Sequence, residues 1–239
     1  MLTICIKSDG IPGKEMTGTF VNSGAIIVGS AVGIMAGRHL SEGIKSIIMN
    51  ALGLSVVILG VKMALEGTNL IVAIGCVLLG AIAGEIMRIE TWIESLGVWL
   101  KNRFRSDSST FVEGFVTASV LYLTGVLVII GPIQDGTVGD TSILYIKSLL
   151  DGFASMALAS MLGIGVAFSA LPVLIVQGTI TIMASSLLFL KEPHILNAIT
   201  ATGGILILGI GVNLLDLKKI PIGNFIPAIL FAILWALCA

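Results

Sequence analysis

The sequence predicts an all-α polytopic membrane protein. It should have about eight transmembrane helices and an inverted-topology repeat of the first three spans against the last three. A central antiparallel helix pair lies between the two arms, and one amphipathic helix lies in the interface; variants with seven spans or a re-entrant segment fit the same pattern. Three observations carry this. Hydrophobic residues make up 56% of the chain and charged residues 11%, whereas soluble domains carry roughly 25% charged residues; the mean hydropathy is +1.09. Apolar runs near the ~20 residues of a membrane-spanning helix recur along the 239 residues without the alternation of barrel strands. A shift of 151 residues lays Ile44, Ile48, Gly53, Gly60 and Val61 over Ile195, Ile199, Gly204, Gly211 and Val212, with Lys62 over Asn213.

Residues 1–15 hold Lys7, Asp9, Lys14 and Glu15 around Gly10-Ile11-Pro12-Gly13, without the apolar core of a signal peptide, and read as a flexible extension with Met16 as an alternative start. The first repeat arm, 16–87, then carries three spans. Thr19 to Gly37 is crossed by Gly24, Gly29 and Gly33, which permit close helix contact. Ile44 to Leu65 and Asn69 to Met87 follow the polar turn at Arg38–Glu42, and Lys62 near the end of the second span snorkels to the interface. In 88–110 the pattern changes: Ile89, Trp92, Ile93, Leu96, Trp99, Leu100 and Phe104 recur at helical spacing among Glu90, Glu94, Lys101 and Arg103. An interfacial helix with its tryptophans in the headgroup layer fits this, and a polar linker follows it.

The central pair, 111–168, begins with a span from Phe111 to Ile130. Gly131-Pro132-Ile133-Gln134-Asp135-Gly136 has turn chemistry, as an external loop or a re-entrant element. From Gly152 to Leu190 no charge occurs over 39 residues, about 58 Å of helix and nearly twice the hydrocarbon core. A break is expected between Gly163 and Pro172, with one span up to about Ala167 and the next from about Pro172. The second arm, 169–239, completes the chain with spans from Leu196 to Leu215 and from Ile222 to Cys238. The repeated stretches 44–65 and 195–216 are five spans apart and so cross in opposite directions, the mark of an inverted repeat. Arg38, Lys45, Arg88, Lys101, Arg103, Arg105, Lys218 and Lys219 fall on one face, and Lys7, Lys14, Lys62, Lys147 and Lys191 on the other. The richer face is expected to be cytoplasmic, which puts both termini outside.

Two acids stand inside apolar sequence with the same neighbours. Glu113-Gly114-Phe115-Val116-Thr117 returns as Asp151-Gly152-Phe153-Ala154-Ser155, with Gly125 and Gly163 each twelve places after the acid. A carboxylate inside a membrane has to be paired, hydrated or protonated, so both are candidates for an ion or solute path. Asp151 comes first, as a proton- or cation-coupling group, and Glu113 second, with Gln134, Gln177, Asn213, Thr117 and Ser155 as supporting ligands. Competing structural roles are open for both acids: Thr110 to Glu113 also reads as a capping box, and Lys147 can pair with Asp151 across one turn. Cys5, Cys76 and Cys238 form no CxxC pair, and His39 and His194 stand alone, so neither a disulfide framework, a metal site nor a cofactor is expected. A net charge of -1 with scattered basic residues gives no reason to expect nucleic acid. No nucleophile and base stand at a recognisable spacing, so an enzyme is not expected.

With these motifs laid out, the sequence resembles the prokaryotic membrane-protein family known as domain of unknown function 554. The resemblance runs from Met16 onward through Gly18-Thr19-Phe20-Val21-Asn22, Gly60-Val61-Lys62-Met63-Ala64, Glu113 to Ser119, Gly131 to Gly136, Lys147 to Ser155, Gln177 to Thr181, Thr200 to Gly204 and Gly209 to Asn213. It implies a polytopic inner-membrane protein with a transport role. The expectation is therefore a secondary transporter or channel-like carrier for an ion or small polar solute, its partners being the lipid bilayer and that solute. A membrane scaffold without transport activity is the alternative, and an intramembrane enzyme a more distant one. Gly24, Gly29, Gly33, Gly203, Gly204 and Gly211 offer close-packing surface from which a homo-oligomer is expected.

Overall fold

The computed structural model describes residues 16–67, 69–124 and 126–238; the expected extension at 1–15, Cys5, Gly125 and Ala239 lie outside the described residues, as do the side chains of Glu42 and Lys45. The described residues form helices α1 (Thr17–Gly37), α2 (Glu42–Glu66), α3 (Leu70–Met87), α4 (Ile89–Arg103), α5 (Phe111–Leu123), α6 (Leu127–Val138), α7 (Ser142–Leu162), α8 (Gly165–Phe168), α9 (Ala170–Ile182), α10 (Pro193–Leu214) and α11 (Pro227–Cys238). Stretches of 3-10 helix precede the last two, eight residues at Ala184–Lys191 and four at Ile222–Phe225. Six helical stretches are long and apolar enough to cross a membrane: α1, most of α2, α3, α7, α8 with α9, and α10. The bent pair α5 and α6 makes a seventh if it is one span, and Ile222–Cys238, expected as the eighth, is shorter.

Local chemistry sets the boundaries. The Ser41 hydroxyl accepts from Ile44 N–H at 3.4 Å to open α2, and the Asn69 carbonyl oxygen accepts from Val72 N–H at 3.2 Å to open α3. Gly163, at φ 74°, ends α7 in backbone that favours glycine, so this span stops at Leu162 rather than the expected Ala167. A second expectation is corrected nearby. The helix from Phe111 to Ile130 is broken after Leu123, with a 62° bend between α5 and α6. The Thr124 hydroxyl turns back onto the Val120 carbonyl at the break. Gly131 to Gly136, expected as a turn, is helical within α6. Gly136 is there for proximity: a Cβ on it would run into the Thr181 carbonyl oxygen of α9.

Glycine seams fix the helix pairs. On α1, a Cβ at Gly29, Gly33 or Gly37 would strike the backbone carbonyl of Gly152, Met156 or Ser160 on α7, an ascending register that makes the two helices parallel. On α2, Gly53 meets Leu215 and Gly60 meets Leu208 of α10, while Gly204 and Gly211 of α10 meet Ala64 and Val57 in return. That register is antiparallel. Gly80 and Gly84 of α3 likewise meet Ala228 and Asn224, so α11 runs against α3. Every antiparallel pair has a local two-fold axis; what is particular to α2 and α10 is that glycines occupy both ends of it. Gly29, Gly33, Gly204 and Gly211 are thus used inside the chain, whereas Gly24, also among the glycines from which an oligomer was expected, has open space around it.

Helix α4 packs against α5 and the Ile222–Phe225 segment. Leu100 packs with Phe111 and Phe115, while Trp92 and Trp99 are exposed, as an interfacial helix requires. Arg88, at φ 54°, makes the elbow between α3 and α4. Asn224 pins it: its side chain accepts from Glu90 N–H at 2.7 Å and donates to Glu85 at 2.7 Å, and Gly223 N–H donates to the Glu90 carboxylate at 2.5 Å. Burial pushes the Glu90 carboxyl above the ordinary carboxylate range, the Gly223 bond opposing and the charge of Glu94 adding. The folded joint therefore holds the proton more tightly than the unfolded chain does. It should be firmest below the ordinary carboxylate value and loosen as pH rises from there through the raised one. Fluorescence of a variant with Trp92 as its one tryptophan should follow that change, and Glu90→Gln should flatten the profile; an unchanged profile would sink this account.

Candidate functional site

Helix α7 is organised to carry charge inward. Asp140 opens it by accepting from Ser142 N–H at 2.9 Å, and Lys147 and Asp151 follow on one face at i and i+4. Lys147 Nζ lies 2.5 Å from Asp151 Oδ2, and the two side chains are 6% and 10% exposed. Of the two open readings of Asp151, the one in which Lys147 pairs with it is the geometry found. The surroundings extend the pair into a polar cluster. From α1, Asn22 Nδ2 donates to Asp151 Oδ2 at 3.0 Å and to Gln177 Oε1 of α9 at 3.2 Å. One turn further along α7, the Ser155 hydroxyl bonds Tyr122 of α5 at 2.7 Å.

Thr19 and Thr181 flank the amides, their hydroxyls 3.5 Å apart, and Thr181 also donates to the Gln177 carbonyl at 3.0 Å. Asn22, Ser155, Gln177, Thr19 and Thr181 are fully buried. Two amide atoms, Asn22 Oδ1 and Gln177 Nε2, have no protein partner. Polar atoms sealed in apolar surroundings cost free energy unless they find a partner; here Asn22 Oδ1 can still accept and Gln177 Nε2 still donate. Beside the pair lies a cavity of about 600 Å³, bordered by Lys147, Asp151, Tyr122 and Thr124 and by apolar Val56, Leu59 and Leu121. Glu66 stands at its margin, 3.6 Å from Lys62 on the exposed face of α2.

The structure brings together Asp151, Gln177 and Ser155 of the expected residues and separates the others. Glu113 and Thr117 border a different cleft of about 310 Å³, with Glu90, Glu94, Asn213 and Asp216. Asn213 is occupied there as a clasp, donating to the Ile220 carbonyl and accepting from Ile220 N–H, both at 2.8 Å. Gln134 donates to Asp140 at 3.0 Å, in the connection before α7. Hydrogen bonds from Ser142, then Gln134, hold the Asp140 carboxyl below the usual carboxylate range.

The matched settings expected for the two acids are not found: Asp151 is buried in the middle of a span, while Glu113 is exposed in the first turn of α5. Nor is the capping box made, because the Thr110 hydroxyl donates instead to the Leu162 carbonyl at 2.9 Å. Asn22 and Tyr122 were not singled out by the sequence as site residues. The signal for Asn22 was present, as a lone amide inside the apolar first span. Among the described residues no group of three or more His, Cys, Asp or Glu side chains is placed to hold a metal ion.

The sequence model of a family described as "Protein of unknown function (DUF554)" matches residues 17–237. The chain is similar to the uncharacterized protein YqgA of Escherichia coli (strain K12), 32% identical over 220 residues, covering 90% of this chain and 94% of that protein. It is similar to the uncharacterized membrane protein YdfK of Bacillus subtilis (strain 168), 32% identical over 219 residues, covering 90% of this chain and 93% of that one. No solved structure matches.

Proposed function

The chain belongs to the DUF554 family of proteins of unknown function, and from that premise we propose that it is a secondary transporter whose solute path passes the Lys147–Asp151 pair. One observation carries this reading: a charged pair buried between α1, α7 and α9 is not sealed, but borders a cavity of about 600 Å³. A scaffold gains little from buried charges, since a well-packed apolar replacement of such a pair is often as stable or more so. Charges kept inside a membrane beside a void are the usual equipment of a pathway. The opposed directions of α2 and α10, and of α3 and α11, support an inverted repeat, the architecture in which one arm rocks against the other around a midplane site. On this reading Arg88, Lys101, Arg103 and Arg105 face the cytoplasm and Lys191 the outside.

Labelling of single cysteines with a membrane-impermeant thiol reagent tests the path and its orientation together. Cysteines replacing Leu150 and Thr200, which border the cavity, should react and be protected by a transported solute. In intact cells a cysteine replacing Lys191 should react, and one replacing Arg105 only after lysis. Cavity cysteines that stay unreactive from both sides would favour the scaffold reading.

A further inference from the structure

The charge balance of the central cluster restricts what the path can carry. Among the described residues Lys147 is the one cation bordering the cavity; Asp151 is its counter-ion in the empty protein, and Glu66 at the margin is matched by Lys62. The empty site is therefore neutral. A monovalent cation added beside the intact pair would leave a net positive charge in low dielectric, and so would a proton alone on Asp151. A monovalent anion added without a proton would leave a net negative charge. One loading keeps the sum at zero: a proton from the cavity water bonds to an Asp151 carboxylate oxygen, the ion pair opens, and an anion takes the vacated place on the Lys147 ammonium.

Resting on the transporter reading, we infer that the protein carries a small monocarboxylate together with one proton in an electroneutral step. Lys147 Nζ holds the carboxylate, and the apolar wall of Val56, Leu59 and Leu121 faces its short carbon chain. Asn22, whose Nδ2 already donates to Asp151 and whose Oδ1 has no protein partner, can turn its amide to accept the proton that Asp151 gains. The elements packed against α7 bring few competing groups. Among the described side chains α1, α8 and α9 carry no titratable residue. Tyr122 on α5 is hydrogen-bonded to Ser155, Asp135 lies on α6, Glu113 lies at the far end of α5, and Glu66 on α2 is beside Lys62.

The test uses the full chain in proteoliposomes with an alkaline interior and the membrane potential clamped, and follows labelled lactate, nitrate and rubidium against protein-free vesicles. Lactate should accumulate in response to the pH difference and not to the clamped potential, and rubidium should not move. Asp151→Asn leaves Lys147 without its counter-ion, so that variant should still exchange lactate for lactate but lose accumulation driven by the pH difference, while Lys147→Met should lose both. Independently, lactate should protect the detergent-solubilised wild type from thermal unfolding, its apparent affinity rising by up to about tenfold per unit fall in pH, the limit for uptake of one proton. Rubidium flux, nitrate accumulation without lactate, uptake that follows the potential, or protection independent of pH would overturn the inference while leaving a transporter. A wild type that moves none of the three probes, with cavity cysteines unreactive, would overturn both readings.

Discussion

Lys147→Met is expected to be the most damaging single substitution in the chain, destabilising it by about 3–5 kcal/mol, the range found when one partner of a buried ion pair is removed. The loss comes less from the missing attraction than from what remains. Asp151, about 90% buried on α7, would be left with only Asn22 to bond it and would have to carry its charge unpaired or take up a proton, both at a cost. Replacing both partners, Lys147→Met with Asp151→Asn, removes the stranded charge and should recover most of the loss while abolishing coupled flux. That recovery separates a pair kept for function from one kept for stability. Cys76, buried in α3, gives a direct readout in a variant lacking Cys5 and Cys238, since a fluorogenic maleimide reaches it only on unfolding. A double variant no more stable than Lys147→Met would contradict the account.

Gly29→Ala and Gly24→Ala should have opposite signs. Both put a methyl group on α1, where alanine favours a helix over glycine by about 1 kcal/mol. At Gly24 nothing lies within 4 Å of the added carbon, so the propensity gain should stand. At Gly29 the same carbon would run into the Gly152 carbonyl oxygen. The backbone cannot yield as a side chain does, and α1 would have to move off α7 at a cost of about 1–3 kcal/mol or more. Because Asn22 reaches Asp151 across this seam, Gly29→Ala should also weaken flux, and Gly24→Ala should not. Equal thermal shifts for the two variants would show that the seam is looser than described.

These contrasts also show what the chain discloses in one dimension. The start of the span opened by the Asn69 capping side chain was legible because its cause is local, whereas the stop at Gly163 was expected about five residues later. The break after Leu123 was not legible, since Thr124-Gly125 is a mild interruption of a largely apolar run and the stronger breakers, Pro132 and Gly136, turn out to serve a helix and its neighbour. Gly24 and Gly29 look alike in the sequence, and only the position of α7 tells them apart. At the site, Asp151 and Gln177 stood out as polar residues in apolar runs. Their meeting with Asn22 depends on contacts 129 and 155 residues apart, which no motif spacing encodes. The repeated acid–Gly–Phe motif misled for the same reason: similar neighbours in sequence placed Glu113 at a surface and Asp151 in the interior.

The i, i+4 placement of Lys147 and Asp151 also bears on how the protein is made. Of the six spans long enough to cross by themselves, α7 has the lowest mean hydropathy, 1.3, and it leaves the ribosome before α9 and its Gln177 exist. Had the two charges lain on different helices, each would have entered lipid alone and waited for its mate, at a cost of about 2.5–3.5 kcal/mol apiece on the insertion scale. Carried one turn apart on a single helix, they can neutralise each other within the segment as it leaves the translocon. The span can thus enter the bilayer as a self-contained unit, with α1, already synthesised, waiting to receive it through its row of glycines.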